Sequence, residues 1–201
     1  MYNTKRAEEN VIVSNDSKYL DAGIHDNVKV EEASVRKSPT DKTFLEIKFT
    51  KDGKVMTHTE WEARKRDDET TESYEAKCDR QVSRMLQILK CFYPKESLVF
   101  TGSSFKEFVD WVAAMINAAD KNKLVKVKIV YNDSGYTTLP KYSAFQFIEP
   151  MVLPEGETSK IAKLGIDLFE RPIVADKEQK ENNPLESSFK TIADAEDELP
   201  F

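Results

Sequence analysis

In Phe44-Leu45-Glu46-Ile47-Lys48-Phe49-Thr50-Lys51-Asp52-Gly53 the side chains alternate in character. Leu45, Ile47 and Phe49 fall on one side of an extended chain, and Phe44, Glu46, Lys48 and Thr50 on the other. That is the period of two expected of a strand with a single buried face. Asp52-Gly53 follows as a hairpin turn, because glycine accepts the positive φ such turns need, and residues 55–63 return as the partner strand. Working back, residues 24–35 alternate with Val28 and Val30 on one face and end at the turn Ser38-Pro39-Thr40-Asp41.

Working forward, Tyr74, Cys78, Val82, Met85, Leu89 and Phe92 recur at steps of three and four, the apolar stripe of an amphipathic helix that stops before Pro94. Ser104-Phe105-Lys106-Glu107 fits a capping box, opening a second helix with Phe105, Phe108, Val112, Met115 and Ala119 inward. Residues 124–131 alternate Val125, Val127, Ile129 and Tyr131 against Lys126 and Lys128, and residues 142–148 supply a fifth strand ending at Pro150. The class is mainly β with a helical insertion, α+β. Three strands, two helices and two strands fit a five-stranded OB-fold barrel with its insertion between strands three and four. An open α+β sheet has the same order and is the alternative.

At 201 residues and 23.0 kDa, one core plus a tail is the expected organisation. It divides into an N-terminal extension (1–22), a core domain (23–153), a linker (154–190) and an acidic tip (191–201). No apolar run approaches the ~18 residues of a membrane span, and the first ten residues lack the pattern of a secretory signal, so a cytoplasmic location is expected. Cys78 and Cys91 are spaced for neither a disulfide nor a zinc site and read as reduced core residues. No cofactor or metal is expected.

The net charge of -6 argues against a nucleic-acid ligand until its distribution is considered. Residues 151–201 hold six basic and twelve acidic side chains and so carry all of it, leaving residues 1–150 neutral. Between positions 36 and 66, nine basic residues face five acidic ones.

Three phrases, Gly23-Ile24-His25-Asp26-Asn27-Val28-Lys29-Val30, Phe44-Leu45-Glu46-Ile47-Lys48-Phe49 and His58-Thr59-Glu60-Trp61, resemble the opening of a group of bacteriophage single-stranded DNA-binding proteins. The end, Glu196-Asp197-Glu198-Leu199-Pro200-Phe201, is similar to the acidic tip of bacterial single-stranded DNA-binding proteins, with Leu where they carry Ile and Glu mixed with Asp. The resemblance implies an OB-fold grip on single-stranded DNA with little sequence specificity. It also implies a tip that recruits replication, recombination and repair proteins, and, for a phage protein, the host-cell cytoplasm.

Such a grip needs rings that stack on bases and cations that neutralise phosphates. Phe44 and Lys48 share the outward face of the second strand, with Lys51 at its end. Arg36 and Lys37 lead into the first loop, and Arg64, Lys65 and Arg66 close the third strand. Lys126 and Lys128 lie on the polar face of the fourth strand; Tyr131, Tyr136, Lys141 and Tyr142 populate the loop after it. Four or five neutralised phosphates imply a log-affinity against log-salt slope of about -3.

Trp61 shares a face with Val55, Thr57 and Thr59 that suits either base stacking or the core, Phe44 suits stacking or a core edge, and Arg64-Lys65-Arg66 suits a phosphate track or a solvated turn. For the tip, Asp194, Glu196, Asp197, Glu198, Leu199, Pro200 and Phe201 combine acids with a terminal apolar ring, a peptide suited to a basic-rimmed pocket on a partner. The segment from Ile161 to Phe169 is apolar and is read either as folding back on the core or as contacting a partner. His58-Thr59-Glu60 has half of a zinc-deaminase signature and lacks the Pro-Cys-x-x-Cys that completes it. The sequence shows no phosphate-binding or nucleophile-elbow motif, so no enzymatic role is expected. A protein-only adaptor and a carboxylate-metal nuclease are the alternatives, and homo-oligomerisation is left open.

Overall fold

The computed structural model of the chain describes residues 18–172. The elements are β1 (Gly23–Lys37), β2 (Thr43–Lys51), β3 (Lys54–Trp61), α1 (Thr71–Leu89), a 3-10 turn (Lys95–Ser97), α2 (Phe105–Ala118), β4 (Val125–Tyr131), β5 (Thr137–Thr138) and β6 (Ile148–Pro150). They form an α+β architecture: one antiparallel sheet in the order β3-β2-β1-β4-β5, with β6 on β4, and two helices inserted between β3 and β4.

The alternation of β2 places Leu45, Ile47 and Phe49 at zero exposure. The β2–β3 turn has φ 50° at Asp52 and 78° at Gly53, two positive values in succession as a two-residue hairpin with native strand twist requires. β1 is 15 residues long and serves two partners. Its later part pairs with β2 and its first part with β4, with register shifts at Val30/Glu32 and at His25/Val28. Irregularities of this kind bend a strand and let the sheet curl around its core.

The ends of the strand path, β3 and β5, share no hydrogen-bonded ladder among the described residues; a bond between His58 Nδ1 and Thr138 Oγ1 (3.0 Å) spans the gap. The single fifth strand expected over 142–148 is replaced by two short ones. Thr137 and Thr138 pair with the end of β4, and residues 148–150 pair with its start. The side-chain amide of Gln87 takes the carbonyls of Ser143 and Phe145 and the N–H of Phe147, diverting backbone groups that a ladder would need.

Both helices lie over the inner face. α1 buries Gln81, Met85, Ile88 and Leu89. α2 buries Phe108, Val109, Val112, Ala113 and Ile116, its buried stripe lying to one side of the expected one. Full burial of each such aliphatic side chain contributes ~1.5–3 kcal/mol. The Asn117 side chain both accepts from and donates to the backbone of Ala33 (2.9 and 2.7 Å), tying α2 to β1. The capping box is formed: Glu107 takes the amides of Ser103 and Ser104, bonds that hold its carboxyl below the usual range. Cys91 is buried, its thiol pushed up to about 12, and Cys78 is half-buried; both are free. Among the described residues no helix is long and apolar enough to cross a membrane.

Candidate nucleic-acid interface

Among the described residues, helices cover the inner face of β1–β3 and none lies on its outer face. The register aligns three rows of outer-face positions, Arg36–Phe44–Trp61, Ser34–Glu46–Thr59 and Glu32–Lys48–Thr57. Trp61 belongs to this face, because Met56, His58 and Glu60 take the buried positions of β3. The Phe44 and Trp61 rings stack with centroids 4.4 Å apart and planes 23° from parallel, and Trp61 keeps 44% of its surface exposed.

Charge on this face is more balanced than the sequence count implies. Arg36 pairs with Glu46 at 2.9 Å, Lys37 with Asp41 at 2.7 Å, and Lys48 with Glu31 and Glu32 at 3.4 and 3.9 Å. These half-exposed and exposed pairs are weak in water, but each still lowers the positive potential offered to a phosphate. Lys65 donates to Thr71 Oγ1 at 3.1 Å. Among the described residues Lys42, Lys51, Lys54, Arg64 and Arg66 form no side-chain ion pair. Lys51 and Lys54 face each other at the hairpin end of the sheet.

Lys42 and Arg64 lie at the opposite end, beside the aromatic pair. There the β1–β2 turn, the end of β3 and the start of α2 enclose a cleft of about 810 Å³, whose walls include the cations Lys42, Arg64 and Lys106, the acids Asp41 and Glu62, and Trp61. Lys106 is paired with Asp110. The amides at the start of α2 are engaged by Glu107, so Lys42 and Arg64 are the groups that favour an anion here, opposed by Glu62, which also forms no ion pair among the described residues.

Two residues expected at this surface lie elsewhere. Lys128 is fully buried: its ammonium meets Asp167 at 2.8 Å and the Ala162 carbonyl at 2.6 Å, and lies 5.2 Å from the centre of the Tyr142 ring. Tyr142 donates to the other Asp167 oxygen at 2.9 Å, and burial with that bond raises its phenol. Burial alone would raise Asp167, but the Lys128 bond, the Leu164 amide and Tyr142 outweigh it and hold the carboxyl low. The reason is the fold-back of the apolar segment: Ile161 and Asp167 are buried, and Tyr131 N–H donates to the Leu168 carbonyl at 2.8 Å, so the segment covers the outward side of β4.

Lys126 pairs with Asp26 at 3.5 Å. Tyr131 is half-buried, Tyr136 stands exposed beyond the β4–β5 turn, and Lys141 is exposed in the loop before β6. Asp194, Glu196, Asp197, Glu198, Leu199, Pro200 and Phe201 lie outside the described residues.

A cluster missed in the sequence lies beneath Trp61. Glu60, 5% exposed, accepts from His58 at 3.0 Å, from Gln81 at 2.7 Å and from Arg84. Burial raises this carboxyl, but the His58 bond and the charges of His58 and Arg84 outweigh it and bring it to about 2. The signal was available: with Leu45 opposite Glu60 in the hairpin register, Glu60 falls on the core side, where it needs a polar partner from the facing helix. No family model, curated protein or solved structure matches the chain.

Proposed function

We propose that the chain binds single-stranded DNA, with little sequence specificity, across the outer face of β1–β3. Its centre is the Phe44–Trp61 pair, and Lys42 and Arg64 neutralise the adjoining phosphates. The observation that carries this reading is a stacked aromatic pair with an exposed indole beside an open cleft that holds two cations free of ion pairs among the described residues. A flat ring stacks on any base at ~1–3 kcal/mol, which accounts for binding without readout of sequence. An OB-type barrel is the architecture we infer; it is supported by β1 pairing with both β2 and β4 and by the His58–Thr138 bridge between β3 and β5. The chain is then a non-catalytic binding module in replication, recombination and repair that recruits partner proteins through Asp194 to Phe201.

Because Arg36, Lys37 and Lys48 are already paired, fewer phosphates are neutralised than the sequence count suggests. Three contacts, from Lys42, Arg64 and Arg66, imply a slope of about -2. Titration with oligo-dT at several salt concentrations tests this. Saturable quenching of tryptophan fluorescence that disappears in Trp61→Phe is the expected result. Absence of binding at low salt, or quenching that persists unchanged in Trp61→Phe, refutes it.

A further inference from the structure

The Glu60 carboxylate stands where four segments meet, and each of its donors makes a second bond that leads outward. Gln81 Nε2 also donates to the Trp61 carbonyl at 2.6 Å. Arg84 uses Nη2 on Glu60 and Nη1 on the Lys141 carbonyl, the latter at 2.9 Å. His58 uses Nε2 on Glu60 and Nδ1 on Thr138. No buried side-chain polar atom among the described residues is left without a partner.

Two of the carbonyls so held belong to Trp61 and to Lys141, which is exposed and without an ion pair among the described residues, in the loop that follows β5. Farther along α1, Gln87 takes the carbonyls of Ser143 and Phe145 at 3.0 and 3.3 Å, so the loop is laid along the helix. Gln81 and Gln87 are six residues apart, about 9 Å of helix rise. The Phe145 ring is 51% exposed and meets Tyr142 edge-on, with centroids 5.7 Å apart.

We propose that Arg84, oriented by Glu60, and Gln87 are positioning residues that hold Lys141 and Phe145 respectively as a second bank of the nucleic-acid site, so that one strand stacked on Trp61 also reaches them. This rests on the reading above, that Trp61 stacks on single-stranded DNA. Arginine suits the role because its planar fork presents two donors in fixed directions to two acceptors on different segments. Lysine concentrates its charge at one atom and does not reproduce that bridge.

The test measures oligo-dT affinity against salt by anisotropy, after thermal melts establish that each variant is folded. Lys141 adds a fourth phosphate to the three counted on the outer face, which takes the wild-type slope to about -3, and Lys141→Ala makes it shallower by about 0.7, the value of one phosphate on a single strand. Phe145→Ala weakens binding by about fivefold or more, the lower bound for a lost stack. In Arg84→Lys the slope is already shallower by that amount, and adding Lys141→Ala changes nothing further. A purely stabilising Arg84 would scale affinity equally at every salt concentration and leave the slope alone.

The proposal is overturned if Lys141→Ala costs the same in the Arg84→Lys background as in the wild type, or if Lys141→Ala and Phe145→Ala leave wild-type binding unchanged. Should Arg84→Lys fail to fold, Gln87→Leu releases the same loop without touching Glu60. There, a Phe145→Ala penalty that vanishes supports the proposal and one that persists overturns it. A wild type that binds no oligo-dT sinks the DNA-binding reading itself, and this inference with it, whereas failure of the Arg84 arm alone leaves that reading standing.

Discussion

Lys128→Met removes the cation of a pair whose two side chains are each 1% exposed. Among the described residues the Asp167 carboxylate then keeps the Leu164 N–H and the Tyr142 hydroxyl. Breaking a buried pair by deleting one partner costs about 3–5 kcal/mol, since the remaining charge stays desolvated. For a chain of this size each kcal/mol moves Tm by about 2–4 °C, which places the variant about 6–20 °C below the wild type. Asp167 is held low in the folded state, so its contribution is present above the unfolded pKa and is lost as pH falls. Without Lys128 this contribution is absent, so the gap between variant and wild type should narrow in acid. The double variant Lys128→Met/Asp167→Leu should recover much of the loss, because an apolar pair leaves no charge unpaired. Oligo-dT affinity below the melting range should be unchanged. Scanning calorimetry at two pH values, with anisotropy titration, checks both parts. A Lys128→Met protein with wild-type Tm and clearly weakened binding would refute the placement of Lys128 inside the fold.

Trp61→Ala should weaken oligo-dT binding by about fivefold to a hundredfold, the range for one lost stack, with little change in Tm because the side chain is half outside the fold; labelled-oligonucleotide anisotropy and a melt read the two. Glu60 has a folded pKa of about 2 against an ordinary 4.5, so it contributes about 3 kcal/mol above the unfolded value, lost as pH falls from about 4.5 through about 2. Glu60→Gln should flatten that part of the acid-denaturation profile. Deleting residues 194–201 should leave DNA affinity equal or higher, because the acids compete with phosphate for the same cations, and should abolish capture of partner proteins; a truncated chain that binds DNA clearly worse contradicts the competition.

The β2–β3 hairpin was legible because alternation and an Asp-Gly turn express the same geometry twice, and the capping box because its four residues suffice to form it. The side assignment of β3 was not. Its two faces read Val55-Thr57-Thr59-Trp61 and Met56-His58-Glu60, each mixing apolar with polar residues, so alternation within β3 does not decide between them; the hairpin register that sets Glu60 opposite Leu45 does, and the tie to Gln81 and Arg84 satisfies the carboxylate there. Lys128 looked like a polar-face lysine because its partner Asp167 lies 39 positions away, in a segment whose docking no local pattern announces. The basic count between positions 36 and 66 overstated the available charge for a related reason. Glu31 and Glu32 precede that window, and Glu46 lies within it, yet strand pairing sets all three beside its cations.

The most direct measurement is photocrosslinking of the full chain to a thymidine-rich single strand carrying 5-iododeoxyuridine, with adducts located by peptide mass spectrometry. Adducts are expected on Trp61 and Phe44, suppressed by salt and by unlabelled oligo-dT. Adducts confined to other faces of the molecule, or spread over it without regard to competitor, would contradict binding across the outer face.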